Sequence, residues 1–441
     1  MRPVPPPIGA GLRHLTVGAA IERASTFVNA LILLRFLPPA EYGTLVLIYS
    51  LYGLLALIAG LGQGELVVAR RAQARGRGSR EDDRSLLSAY LLLVAGGLAG
   101  SLLLAVLARE VWPAAQSMSP SIYWLAVAGA VCVPIRSVAL TYLSVEQDFR
   151  RIKLVDILRS VTLAAGYLVG VGVLQRGVPA ALAAYAFSSA VIFFLVPEIL
   201  LEAARAIVRP TLAPMLRLLA GEGKFQLMRT GVTTAHGTLR PWLIQLVLGP
   251  EAVALFTAAK TIVAIPGDLL PFKEYLIPVM SQESDQPEQL RRRYASTVRQ
   301  GTWLFAGIAA ALIALAPWLF GVFFPRYAEA VPLIRWMALS LLFAGMASPQ
   351  LALFYALQLQ GAYFLTTALS LAIMLVIAFP LMVWLGISGM AIGFVINSAV
   401  VPLVRHLILR RRVPGLSLIS RDWLRFGPED RAFLREFLAG R

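Results

Sequence analysis

The sequence is poor in most of what a soluble enzyme is built from. Charged residues make up 15% of its 441 positions, where soluble domains carry about a quarter. It has one cysteine, Cys132, so no intrachain disulfide can form, and redox compartment cannot be read from it. The three histidines, His14, His236 and His406, lie far apart and offer no zinc ligand set with that lone thiol. Lysine is reduced to Lys153, Lys224, Lys260 and Lys273, leaving arginine to carry the positive charge. These shortages exclude a soluble enzyme, a disordered chain and a disulfide scaffold.

What the chain has is apolar surface and basicity together. Apolar residues account for 58%, mean hydropathy is +0.73, and Lys and Arg total 40 against 24 acids, a net charge of +16. A membrane-crossing helix needs about 20 largely apolar residues, since it rises 1.5 Å per residue through a core of roughly 30 Å. Such runs recur near 14–36, 43–62, 85–108, 121–143, 153–174, 178–201, 226–248, 252–279, 299–322, 331–355, 362–384 and 387–408. They predict an all-α polytopic membrane protein of about 12 transmembrane helices. Glycine or proline punctuates most turns, as at Pro38-Pro39, Gly177-Val-Pro179 and Gly249-Pro250. Pro266-Gly267 interrupts the eighth run, which can be read as two half-helices. Glu22 and Arg23 break the first run and no cleavage site follows, so it is expected to remain as a helix rather than be removed as a signal peptide. No connection is long enough for a folded extramembrane domain.

Basic residues orient these spans. Arg70–Arg84, Arg150–Lys153, Arg205–Arg229, Arg291–Arg299 and the arginines from Arg405 onward all fall on one side; Arg35, Arg109, Arg176 and Arg326 fall on the other. The positive-inside rule makes the crowded side cytoplasmic, with both termini there. An odd number of spans would scramble the segregation.

The halves of the chain resemble one another. Residues 36–45 align with 247–256, and 177–195 with 386–404, where Phe187-Ser-Ser-Ala-Val matches Ile396-Asn-Ser-Ala-Val. Six spans per half insert in the same orientation, a parallel repeat of the kind found in transporters with the substrate path between the halves; chance likeness between apolar helices is the alternative. The expected organisation is an N-terminal six-helix lobe at 1–203, a cytoplasmic linker at 204–225, a C-terminal lobe at 226–408 and a cytoplasmic tail at 409–441. Within the tail, Gly427–Leu438 reads as a short amphipathic helix suited to a membrane interface.

Charges inside the spans point to function. A charge facing lipid at mid-bilayer costs at least ~2.5–3.5 kcal/mol, so it normally faces a partner or a wet cavity. Arg23 and Lys260 lie deepest, Arg136, Arg159 and Arg240 somewhat shallower, and Lys273 and Arg335 within reach of the interface. Asp156 and Arg159, three apart, can neutralise each other as a purely structural pair. His236 and Arg240, four apart, share a helix face. Glu22 and Asp156 are candidate counter-charges or ion-coupling groups. Asp268 is open to three readings: counter-ion, cation-coupling carboxylate or lining group. Cations exceed acids within the spans, which favours a cavity that receives an anion.

The residues also carry a resemblance. Arg35-Phe-Leu-Pro-Pro-Ala-Glu-Tyr-Gly43 resembles the R-x-L-x-P-x-E-Y-G signature of Wzx-type oligosaccharide flippases, the polysaccharide-transporter branch of the MOP exporter superfamily. Tyr142-Leu-Ser-Val-Glu-Gln-Asp-Phe-Arg150 and Leu248-Gly-Pro-Glu-Ala-Val-Ala-Leu-Phe256 are similar to two further segments of that family, the latter with Ala254 and Phe256 in place of Gly and Tyr. The resemblance implies two parallel pseudo-symmetric six-helix lobes around a cationic cavity. It also implies a polyprenyl-pyrophosphate-linked oligosaccharide as cargo, moved by alternating access from the cytoplasmic to the outer leaflet of a bacterial inner membrane for surface polysaccharide biosynthesis. Membrane lipids and polysaccharide-assembly proteins are the implied partners, with no cofactor, no nucleic acid and no enzymatic step. A pyrophosphate suits arginine forks, so Arg23 and Lys260, then Arg240, Arg136 and Arg159, are the candidate headgroup ligands. Arg35, Pro39, Glu41, Tyr42 and Gly43 carry the motif, and a helix-end position suits anchoring or gating. The rival readings are a cation-coupled drug or metabolite antiporter of the same superfamily, which would favour an acidic cavity, and a membrane polysaccharide polymerase, which would carry a large outer loop.

Overall fold

The computed structural model describes residues 24–111, 119–146, 148–208, 213–269, 276, 280, 287–357 and 359–416. Among them every regular element is helical, and helices lie at all twelve positions read as spans. The chain divides into two compact units, Met1–Thr257 and Ala258–Arg441.

The first unit contains α1 (Ala24–Phe36), α2 (Pro39–Gly60), α3 (Gly64–Gly76), α4 (Arg80–Val111), α5 (Pro120–Glu146) and α6 (Phe149–Tyr167). A π-helical turn, Leu168–Val173, extends α6. Then follow α7 (Gly177–Ala190), α8 (Glu198–Val208), α9 (Ala213–Leu218), α10 (Lys224–Leu248) and the first turns of α11 (Pro250–Leu269). Turn chemistry sets these boundaries. Pro39 stands where the missing N–H of a helix's first turn does no harm. Leu61 and Gly62 in the left-handed region end α2, and Asp148 caps α6 by accepting from the backbone N–H of Arg151 at 3.0 Å.

Two stretches that look like connections in the sequence are folded. The basic segment after the second span forms α3. Part of the linker forms α8 and α9, which pack on α4 and bury Ile199 and Met215 with Leu87, Leu91 and Val155. Apolar side chains between charged ones give these short helices one face to bury.

In the second unit, α12 (Pro287–Phe323) leads through a 3₁₀ turn at Pro325–Ala330 to α13 (Val331–Ala338) and α14 (Leu341–Ala356). The last are α15 (Gln360–Ile373), α16 (Phe379–Leu385) and α17 (Ile387–Arg412). α12 and α14 pack closely where Gly301 meets Gly345, and α17 packs on α13, α14, α15 and α16. Seven described helices are long and apolar enough to cross a membrane, and the pair Pro325–Ala338 and Leu341–Ala356, bent by 52°, makes an eighth crossing when counted as one. α11 runs through Pro266-Gly267 as far as Leu269, and most of the eighth run beyond it lies outside the described residues. The tail helix read at Gly427–Leu438 lies outside the described residues.

Candidate substrate site

The deep cations of the first unit are held by neighbouring helices. Arg136 on α5 donates from Nη2 to Oδ1 of Asp156 on α6 at 2.9 Å, with the two side chains 22% and 12% exposed. Asp156 therefore serves as counter-charge to an arginine on another helix. One turn along α6, the Arg159 guanidinium stands 5.7 Å over the ring of Tyr185 on α7, a cation–π geometry that stabilises the cation.

Tyr185 belongs to an aromatic cluster that sequence reading missed. Its ring lies 4.9 Å from Tyr49 and 5.1 Å from Tyr52, both on α2. The Tyr49 and Tyr167 hydroxyls share a 2.7 Å hydrogen bond, tying α2 to α6. Tyr52 packs against Gly129 of α5, where any side chain would strike its hydroxyl. Tyrosines three apart inside an apolar run, Tyr49 and Tyr52, are the signal that could have marked this face in the sequence.

Arg240 lies on α10, 7% exposed, with Nη2 2.9 Å from Nε2 of His236, so the shared helix face is realised. Two residues to either side, the Thr238 hydroxyl donates to the Ser50 carbonyl and the Trp242 indole N–H to the Ser50 hydroxyl, each at 3.0 Å. α2 thus touches α6 and α7 through its tyrosines and α10 through Ser50. Lys260 is exposed on α11 and belongs to the second unit. Arg23 and Glu22 lie outside the described residues, as does the side chain of Asp268.

The motif closing the first span is a packing hub. A Cβ on Gly43 would fall 1.9 Å from the Pro250 carbonyl oxygen, so the α1–α2 corner meets the start of α11, where the third family-like segment lies. Glu41 places its carboxylate beside Gly177, the first residue of α7, where the helix N-terminus favours negative charge. Phe36 packs on Gly172, Tyr42 is buried, Pro39 opens α2 and Arg35 is exposed.

A second network stands where the sequence suggested only orientation charges. Arg71, 1% exposed, donates from Nε to Oδ1 of Asp83 at 2.7 Å and lies 6.0 Å over the ring of Tyr142. Arg75 donates from Nε to the other oxygen of Asp83 at 2.6 Å and grips Glu146 through both terminal nitrogens at 2.9 and 2.5 Å. The hydrogen bonds it donates to Glu146, aided by that to Asp83, hold the Arg75 guanidinium above its ordinary pKa. Glu146 and Asp148 lie in the second family-like segment, one receiving α3 and the other capping α6. Among the described residues no group of His, Cys, Asp and Glu could hold a metal ion.

Residues 32–326 match the model of a family described as polysaccharide biosynthesis protein. No curated protein matches the sequence significantly. The structure is similar to the inward-facing conformation of a multidrug resistance MATE family transporter of the MOP superfamily, at 17% identity over 92% of this chain and 98% of that one, with TM-score 0.72. It is similar to a lipid II flippase MurJ in an inward closed conformation, at 12% identity over 96% of this chain and 95% of that one, with TM-score 0.71. At these identities the likeness is one of fold, and with the apolar spans it describes a multi-pass membrane protein.

Proposed function

Because the chain belongs to the polysaccharide biosynthesis protein family, whose model spans residues 32–326, we propose that it flips a polyprenyl-pyrophosphate-linked oligosaccharide across the bacterial inner membrane. The reading has the glycan pass from the cytoplasmic to the outer leaflet by alternating access, with both termini cytoplasmic. No covalent step is needed. The lipid tail stays in the bilayer, and moving the anionic headgroup outward against a negative-inside potential is downhill by about 2.3 kcal/mol per charge per 100 mV.

The observation that carries the proposal is Arg159 on its tyrosine platform. The Tyr185 ring lies under that guanidinium within the membrane-spanning part of the unit, and a guanidinium fork matches phosphate oxygens in geometry and charge. Asp156, one turn away on α6, is the counter-charge to Arg136 of α5. Arg240, Lys260 and Arg23 complete the candidate ligands, and Glu22, Asp156 and Asp268 the candidate coupling groups. A basic interior of this kind opposes a cationic drug as cargo.

The test is reconstitution. Vesicles holding the purified protein and a fluorescent polyprenyl-pyrophosphate oligosaccharide should move it between leaflets, and Arg159→Gln should slow this several-fold while Arg159→Lys retains part. Equal rates in wild type and protein-free vesicles would remove the proposal.

A further inference from the structure

Arg405 is one of the arginines that the sequence assigns to orientation alone, and the structure gives it a different setting. It stands on α17 three residues before the end of the apolar run read at 387–408, about 5 Å inside it at 1.5 Å per residue. Leu403 and Leu407, on the opposite side of α17, are exposed and suit contact with lipid. Arg405 turns instead towards the start of α15. Its guanidinium lies 5.2 Å over the ring of Tyr363, and its Nε donates to the buried Thr366 hydroxyl at 3.1 Å. The helix that carries it is fixed as well. The fully buried Gln350 of α14 donates from Nε2 to the Pro402 carbonyl at 2.9 Å, and the His406 ring stacks on Tyr294 of α12.

The charge on Arg405 has no answering acid. Among the described residues no carboxylate pairs with it, and its terminal nitrogens are neither buried nor hydrogen-bonded. A cation on a membrane-spanning helix normally faces a counter-charge or water, and this one gives only Nε and its flat face to the protein. What remains is the pair of terminal N–H groups, the edge with which a guanidinium grips two oxygens of one phosphate. The tyrosine ring stabilises the cation in that pose, so the fork is set before an anion arrives. The position matches the anion. At the end of an apolar span the abundant anions are lipid phosphates, and basic pockets between such helices bind them. Arg410, Arg411 and Arg412, all exposed, draw anionic groups to the same end of the helix.

We propose that Arg405, supported by Tyr363 and Thr366, binds a phosphate carried by a membrane lipid. Two sources share this chemistry, the pyrophosphate of the cargo and the phosphodiester of an anionic phospholipid. The first rests on the flippase reading above; the second stands without it.

Lipid binding tests the site apart from transport. Purified full-length protein in neutral detergent is titrated with a polyprenyl pyrophosphate, with phosphatidylglycerol and, as a phosphate-free control, with a polyprenol, and adducts are counted by native mass spectrometry. At least one phosphate lipid should bind more tightly than the polyprenol. That binding should fall several-fold in Arg405→Gln, return only in part in Arg405→Lys, which keeps the charge without the fork, and persist in Tyr363→Phe. Arg411→Gln, which removes an exposed arginine from the same helix end, should leave it nearly unchanged. Where Arg405→Gln fails to accumulate, Arg405→Lys carries the comparison. A loss confined to the pyrophosphate places the site on the cargo route; one confined to phosphatidylglycerol makes it a phospholipid site; a loss of both means that the phosphate is read whatever lipid bears it. Unchanged binding of both lipids in the Arg405 variants, or an equal fall in Arg411→Gln, would overturn the inference. A protein that flips its cargo yet binds both lipids independently of Arg405 loses this site and keeps the flippase reading. One that binds through Arg405 and fails to flip keeps the site and loses that reading.

Discussion

Arg136 and Asp156 meet at 2.9 Å between α5 and α6, twenty residues apart in the chain and inside the membrane-spanning part of one compact unit. Neither charge is tolerable there alone, since an ion stripped of its partner in low dielectric costs several kcal/mol. The pair thereby fixes the spacing of the helices that carry Arg159 and flank the tyrosines.

That dependence predicts an asymmetry. Asp156→Asn should destabilise the protein by about 3 kcal/mol, near the lower end for a broken buried pair because both side chains keep some exposure. The double variant Arg136→Gln/Asp156→Asn should recover part of the loss. Thermal unfolding in detergent, arranged as a double-mutant cycle, measures the coupling; additive losses would mean the two groups act independently.

The platform under Arg159 separates aromatic support from bulk. Tyr185→Phe keeps a ring beneath the guanidinium and should retain most transport. Tyr185→Leu removes a contact worth about 0.5–2 kcal/mol and should lower the rate several-fold at unchanged expression.

The network at α3 separates buried from exposed pairing. Asp83→Ala leaves Arg71, 1% exposed, without its carboxylate and should cost about 3–5 kcal/mol. Glu146→Ala removes a pair with both side chains about one-third exposed and should cost no more than about 1 kcal/mol. Because its pairing raises the Arg75 pKa, that arginine stays charged at every pH below its ordinary value, so alkaline titration in the workable range should leave the Arg75 contribution intact. Melting curves of both variants across neutral to moderately alkaline pH test the ranking and the flat profile.

Three glycines should respond differently to alanine. Gly43→Ala drives a methyl group into the Pro250 backbone and should prevent accumulation of folded protein. Gly177→Ala meets both the Glu41 carboxylate and a φ of +57° and should destabilise strongly. Gly100→Ala meets nothing within 4 Å in a helix interior and should stabilise by up to about 1 kcal/mol. Fluorescence-detected gel filtration of the three variants orders them.

The sequence by itself determined what depends on neighbours along the chain. Hydropathy over about twenty residues sets the helical spans, because backbone groups in lipid must satisfy one another locally. Helical spacing joins His236 to Arg240, and the signature at Arg35–Gly43 announces the family. The tertiary structure decided what depends on helix against helix. It matched Asp156 to Arg136, gathered Tyr49, Tyr52, Tyr167 and Tyr185 into one cluster with Arg159 over the Tyr185 ring, set Gly43 against Pro250, and buried Arg71 within a stretch that reads as a basic loop. These contacts join residues tens to hundreds of positions apart, and no local periodicity encodes which faces will meet. The scarcity of acid in this basic chain acquires its meaning there: one carboxylate, Asp83, holds two arginines, and a tyrosine ring supports a third.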